Sequence, residues 1–272
     1  MDWLGESLDR VRARRPLVHN ITNFVVMNTT ANALLALGAS PIMSHSIEDI
    51  EDLVPAADAV VLNIGTLDEY FVYSMLKAAQ IARRHGKPVV LDPVGAGATR
   101  LRTEAALMIL RSGGVTIVRG NFGEVSALLG ERGKTRGVET ATFDKERAAE
   151  LALAAASKFG VVAAVTGPVD HASDGRRVYR VELARHSPSL EGVIKRVTGL
   201  GCVVTALIGA FAAVEEPLKA AIAGLAVFRA ASLYAAEEAP YPGSFQVKLY
   251  DWLYRLGGSD VVGAVRVSRV GP

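Results

Sequence analysis

The feature that most constrains this chain is a repeated alternation of short apolar runs with helical patterns. Ala59 to Ile64 is an apolar run that ends at Gly65, and Pro88 to Leu91, Val115 to Val118 and Val161 to Val165 repeat the theme. These runs are rich in β-branched residues and lack polar alternation. That predicts strands buried on both faces of a parallel sheet. Between them, helical patterns cover Asp68 to His85, Thr103 to Arg111, about Phe122 to Leu129, and Asp144 to Phe159. In the first of these, Phe71, Met75, Ala78, Ala79 and Ala82 share one face, and Gly86 and Pro88 close it. The order predicts an α/β fold of three layers, with a mostly parallel central sheet covered by helices on both faces.

The pattern changes after the last of these strands. Asp174-Gly175 lies between two short segments in His171 to Leu183, which predicts a hairpin at a sheet edge. From Cys202 to about Tyr254 the chain reads as helical, broken at Pro217 and at Pro240 to Gly243. Gly130 to Thr140 reads as a surface loop, and Arg10 to Arg15 as the solvated face of a first helix. No linker or internal repeat divides the sequence, so residues 1–272 read as a single domain.

Composition removes several function classes. Half of the 272 residues are hydrophobic, and 30 Lys+Arg against 28 Asp+Glu leave a formal charge of +2. Such a chain is neither disordered nor a strongly basic nucleic-acid binder. The longest nearly apolar run, Cys202 to Val214, falls short of the roughly 18 residues of a membrane span. The first fifteen residues are too charged for the apolar core of a signal peptide. One cysteine, Cys202, excludes an internal disulfide and a multi-cysteine zinc site. A cytoplasmic protein without nucleic-acid or membrane partners is the expectation.

In open parallel sheets, ligands bind beyond the carboxyl ends of the strands. Polar or glycine-rich clusters stand there: Asn63 to Thr66, Asp92 to Ala98, Arg119 to Glu124, and Thr166-Gly167. Each alone suits an ordinary strand–helix turn; four in succession point to a site. The most informative cluster is Val197 to Cys202, which opens an apolar helix with Gly199 and Gly201. Free N–H groups and the positive end of the helix dipole make such a turn a cradle for an anion. A thiol at that turn is expected to have a depressed pKa. The competing reading is a glycine-tightened helix start with a structural cysteine.

Standard nucleotide motifs fail. Gly133-Lys134-Thr135 imitates the end of a P-loop, but Leu128 occupies the place of its first glycine. Gly199 and Gly201 lack the third glycine of a dinucleotide fingerprint, Val204 standing there. If phosphate is bound, helix and backbone must hold it, with Mg²⁺ and an arginine. Asp92 and Glu124, carboxylates near predicted strand ends, are the metal candidates, since Mg²⁺ takes one or two carboxylates plus water and phosphate oxygens. For Glu124 a capping box with Asn121 is the competing reading.

These residues carry a resemblance. Val18 to Asn23, Thr29 to Met43, Asn63 to Leu67, Leu91 to Thr99, Arg119 to Asn121, Gly199-x-Gly201-Cys202 and Pro242 to Phe245 together resemble the hydroxyethylthiazole kinases of the ribokinase-like superfamily. The resemblance implies a ribokinase-like fold. It also implies ATP-dependent phosphorylation of the hydroxyl of 4-methyl-5-(2-hydroxyethyl)thiazole in thiamine salvage, with Mg²⁺. It further implies a homotrimer with active sites at subunit interfaces. Carried over residue by residue, Met43, Asn23 and Gly199 are the substrate contacts, and Arg119, Thr166 and Gly201 the ATP contacts. Asp92 and Glu124 are the metal carboxylates, and Cys202 is the residue that meets the substrate hydroxyl. Relatives in the wider superfamily usually carry Asp at that position as the base. Here Cys202 is expected to help by accepting or orienting the proton rather than to be indispensable. Met43 suits a heteroaromatic ring through its polarizable thioether.

His19 is expected to fix the Ile21–Asn23 turn by a hydrogen bond. His45, His85, His171 and His186 show no paired spacing and are assigned no role. A related kinase acting on a hydroxymethylpyrimidine or another small alcohol is the alternative. A thiol hydrolase built on Cys202 would need a histidine base, and the sequence offers near it only His186.

Overall fold

A computed structural model of the chain describes residues 2–131 and 145–271. Its first half runs α1 (Trp3–Arg14), β1 (Leu17–Ile21), α2 (Met27–Leu37), β2 (Ser40–Met43), α3 (Ile47–Ala56), β3 (Ala59–Asn63) and α4 (Glu69–Arg84). Next come β4 (Val89–Asp92), α5 (Arg100–Arg111), β5 (Ile117–Asn121), α6 (Phe122–Leu129), α7 (Lys145–Phe159) and β6 (Val162–Thr166). Two strands follow, β7 (Asp170–Ser173) and β8 (Val178–Leu183), then α8 (Pro188–Ile194), α9 (Leu200–Ala212), α10 (Pro217–Glu238), α11 (Pro242–Arg255), α12 (Gly258–Ala264) and β9 (Val265–Arg269).

Among the described residues the strands form one nine-stranded sheet in the order β2-β1-β3-β4-β5-β6-β7-β8-β9. β1 to β6 are mutually parallel, and β7, β8 and β9 join antiparallel. Two apolar clusters lie on its two faces. Val61, Val90 and Ile117 point into one, with Leu34, Leu207 and Phe211; their chain neighbours Leu62, Leu91 and Val118 point into the other, with Met75 and Ile109. Successive strand side chains face opposite sides, and both sides are covered. That is why the runs are continuously apolar, and it confirms the expected three-layer α/β architecture.

The boundaries shift for local reasons. α5 starts three residues earlier than its pattern, at Arg100, because the Thr99 side chain accepts from the Arg102 N–H at 3.2 Å. The predicted strand at Val115 begins instead at Ile117, after Gly114, whose approach to Ala79 leaves no room for a Cβ. The hairpin turn at Asp174-Gly175 is present: Gly175 has φ +86°, and Asp174 Oδ1 accepts from the N–H groups of Arg176 and Arg177. It is not at the sheet edge as expected, since β9 pairs along β8. Of the expected loop Gly130 to Thr140, and of the P-loop imitation within it, only Gly130 and Glu131 are among the described residues; Gly130 ends α6 at φ +83°. Among the described residues one helix, α10, is long and apolar enough to cross a membrane, but 83% of its most apolar window is buried inside the molecule.

Candidate active site

The six parallel strands all deliver their carboxyl ends to one edge of the sheet. Met43 ends β2, Asn23 follows β1, Asn63 ends β3, Asp92 ends β4, Arg119 lies within β5, and Thr166 ends β6. α9 arrives over the same edge. Its cap is Gly199, at φ +81°, and no side chain caps its first turn. A Cβ on Gly199 would stand 2.6 Å from Val26 Cγ1, so this turn requires glycine twice over.

Asp92 is the centre of the cluster and is fully buried. Its Oδ2 accepts from Thr205 Oγ1 at 2.7 Å and from Asn63 Nδ2 at 3.0 Å, and Arg119 Nη1 stands 3.7 Å away. Its Oδ1 has no hydrogen-bond partner. Burial pushes the carboxyl up to about 6; the Arg119 charge opposes the shift and Glu124 adds to it.

Arg119 carries the cluster toward β6. Its Nη2 donates to Thr166 Oγ1 at 2.5 Å, and that hydroxyl lies 3.3 Å from the Gly120 carbonyl. A Cβ on Gly201 would fall 2.7 Å from Arg119 Nη1. The second glycine therefore admits the guanidinium against the start of α9. An arginine, a helix N-terminus and an uncapped first turn converge here, which is the arrangement an anion requires.

On the other side of Asp92, Asn23 Nδ2 donates to Asn63 Oδ1 at 2.7 Å and reaches Cys202 Sγ at 3.6 Å. Asn23 Oδ1 accepts from the Val25 N–H at 3.1 Å. Cys202 is half-buried. Burial, then the neighbouring Asp92, push its thiol up to about 12. This corrects the expected depression: desolvation and an adjacent carboxylate outweigh the helix dipole. The residue stands as a neutral thiol at physiological pH.

Glu124 performs the capping role in full. Its Oε2 accepts from the Asn121 N–H at 2.8 Å while Asn121 Oδ1 accepts from the Glu124 N–H, and its Oε1 accepts from the Gly95 N–H at 2.9 Å. Its charge is felt at Asp92. Met43 is half-buried on edge strand β2, in register with Asn20. His19 is buried, and its Nε2 bonds the Ser44 carbonyl at 2.8 Å. It therefore ties β1 to the segment after β2 rather than to the Ile21–Asn23 turn. Burial lowers its pKa, so it is a neutral structural donor. His186 is an exposed partner of Glu191 and takes no part in the site.

Three residues escaped the sequence reading. Asn63, which by sequence suits an ordinary strand–helix turn, bridges Asn23 and Asp92. Thr205 lies one helical turn after Cys202, a spacing that places both on the same face. Arg102 donates to the carbonyls of Ile64, Val94 and Gly65 and so ties the β3 and β4 loops together. No local pattern distinguishes it from a surface arginine.

The model of the hydroxyethylthiazole kinase family matches residues 8–258. The chain is 61% identical over 258 residues, 95% of each chain, to a hydroxyethylthiazole kinase of Pyrococcus furiosus. It is 58% identical to that of Pyrococcus abyssi over the full length of both. The solved structure of the hydroxyethylthiazole kinase protein of Pyrococcus horikoshii superposes with a TM-score of 0.90 at 54% identity, covering all of both chains. A pyridoxal kinase from Staphylococcus aureus shares the fold at a TM-score of 0.64 and 17% identity, covering 93% of this chain and 98% of that one. By this likeness over nearly its whole length, the chain belongs to the hydroxyethylthiazole kinase family.

Proposed function

We propose that this chain transfers the γ-phosphoryl group of ATP to the hydroxyl of 4-methyl-5-(2-hydroxyethyl)thiazole, giving the thiazole phosphate of thiamine salvage. The observation that carries this reading is the meeting of Arg119 with the uncapped, glycine-opened start of α9 beside Asp92. The substrate oxygen forms the new bond to the γ-phosphorus while the β–γ bridge breaks, releasing ADP and one proton. Phosphoryl transfer of this kind needs positioning and charge stabilisation above all. N–H groups of residues 199 to 202 and the Arg119 guanidinium meet the charge on the transferring group. Thr166 holds Arg119 on the nucleotide side. Asn23 and Cys202 orient the alcohol, with Met43 and Gly199 as further substrate contacts. A neutral thiol suits this orienting role better than that of a strong base.

The donor set fits Mg²⁺ in a limited way. Among the described residues, no group of three or more His, Cys, Asp or Glu side chains could hold a metal. Asp92 keeps one oxygen without a partner, while both oxygens of Glu124 already accept backbone N–H groups. That suits an ion held mostly by water and phosphate, with Asp92 and Glu124 as its nearby carboxylates. When bound, Mg²⁺ would neutralise charge on the ATP phosphates.

The reading includes a cytoplasmic homotrimer with sites at subunit interfaces. In support, Phe24 and Val25, immediately after the substrate-side Asn23, are 62% and 61% exposed. Phe24 packs edge-on against His45 and Phe71. Sedimentation at equilibrium tests the trimer, and a monomer refutes it.

The deciding experiment is an ATP-dependent phosphorylation assay that compares the thiazole alcohol with a hydroxymethylpyrimidine. Higher kcat/KM for the thiazole alcohol is expected. Preference for the pyrimidine would move the assignment to the related kinase, and turnover without ATP would overturn it.

A further inference from the structure

A buried ion pair stands just beyond the nucleotide side. Arg229 projects from the middle of α10, a helix otherwise buried through residues such as Leu225, Ala226, Ala230 and Leu233. Its side chain is only 11% exposed and that of Asp170 only 6%. Arg229 Nε donates to Asp170 Oδ2 at 2.6 Å, and its Nη2 donates to the Gly167 carbonyl at 2.7 Å. Asp170 Oδ1 in turn accepts from the Gly167 N–H at 3.0 Å. The pair thus grips the N–H and the carbonyl of one residue, the one that follows Thr166.

The location gives this grip a purpose. β6 pairs with β7 at Ala163, Ala164 and Val165, and the antiparallel ladder ends there. Thr166 lies beyond it, held in the sheet only through β5, opposite Asn121. The sheet changes from parallel to antiparallel at this point, so the chain must reverse between Gly167 and Asp170. An ion pair buried this deeply is a weak source of stability, since apolar replacements of similar volume are often neutral. Its bonds go to the backbone next to the hydroxyl that orients Arg119. We propose that Asp170 and Arg229 are positioning residues for the nucleotide side: they fix the Thr166–Gly167 turn and, through Thr166, the Arg119 guanidinium. The inference rests on the phosphotransfer reading for its meaning, but not for its test.

The test is direct ATP binding by titration calorimetry, with thermal melting alongside. Arg229→Lys keeps the charge but lacks the planar fork that serves Asp170 and Gly167 together. It is expected to weaken ATP binding about tenfold, a misplacement effect. The pair Asp170→Leu with Arg229→Met removes both buried charges. It is expected to fold and to show the same ATP defect, because stability returns without the grip on Gly167. In turnover, the same variants should raise KM for ATP while KM for the alcohol stays within about twofold, a split that general loosening would not produce. ATP affinity at the wild-type level in either folded variant overturns the positioning role. A wild-type chain that binds ATP but does not phosphorylate the thiazole alcohol instead overturns the phosphotransfer reading and leaves the binding test in force.

Discussion

The two sides of the site meet at Asp92 and are built from different chemistry. Toward β1 and β3 stand Asn23, Asn63 and the Cys202 thiol, all uncharged. Toward β5 and β6 stand Arg119 and Thr166, with Arg229 and Asp170 behind them. The uncharged side offers short, directional bonds that suit a neutral alcohol. The guanidinium side offers fixed positive charge that suits a polyphosphate. The difference teaches that this edge of the sheet is divided by charge, with one buried carboxylate on the boundary bonded to both sides.

Substitutions can break that division, and the largest effect is expected at Arg119. Arg119→Ala strips the cationic side and leaves Asp92 without its counter-charge. Turnover should fall about 10³-fold, within the range for loss of a preorganised electrostatic group. Steady-state kinetics should place the loss in kcat and in KM for ATP. A loss confined to the KM for the alcohol would erase the proposed division.

The boundary itself comes next. Asp92→Ala should lower kcat about 100-fold, with partial rescue by raised Mg²⁺ or Mn²⁺. Glu124→Ala should shift the metal dependence in the same direction. It should also cost about 1 kcal/mol of stability, because it removes a capping box. Metal titration of both variants checks this, and an unchanged metal dependence counts against the carboxylate assignment.

On the uncharged side a smaller effect is expected. Cys202→Ala should keep turnover within about tenfold of wild type, whereas loss of a true general base removes 10²–10⁴-fold. Cys202→Asp should be active or faster. Abolished activity in both variants with folding intact would make the thiol indispensable and would overturn its auxiliary role.

Behind the cationic side, at His171, the expected effect is on stability and is confined to acid pH. Burial, then Arg180, lower its pKa to about 4, and neither ring nitrogen has a hydrogen-bond partner. In the unfolded chain it titrates near 6.5. Between those values the unfolded state binds the additional proton, so stability is lost as pH falls from about 6.5 to 4, by at most about 3 kcal/mol. Above that window the group makes no pH-dependent contribution. Thermal melts at pH 7 and 4.5 should show a gap that narrows in His171→Phe; an equal gap in both proteins refutes the assignment.

Much of this was legible in the residues, and the misses share a cause. The buried strands from β3 to β6 were readable because a strand covered on both faces must be apolar at every position. β9 was not readable: Val265, Arg266, Val267, Ser268 and Arg269 alternate weakly, and only β8 gives them a partner. The candidate residues at the strand ends were readable because parallel strands send every carboxyl end to one edge. Arg102, Thr205 and Arg229 were not. Each acts on backbone or carboxylate groups distant in sequence, or across a helix face, and arginines in helices are usually solvated.

The order of apolar runs and helical patterns, by itself, determined a three-layer α/β fold with the strand ends at Asn63, Asp92, Arg119 and Thr166 on one edge, and glycines 199 and 201 marked the candidate start of an anion cradle. Only the tertiary structure decided the state of Cys202. A helix start alone would lower a thiol's pKa, but folding buries this one beside Asp92, and the desolvation and repulsion that follow exist only after residues 110 positions apart are brought together.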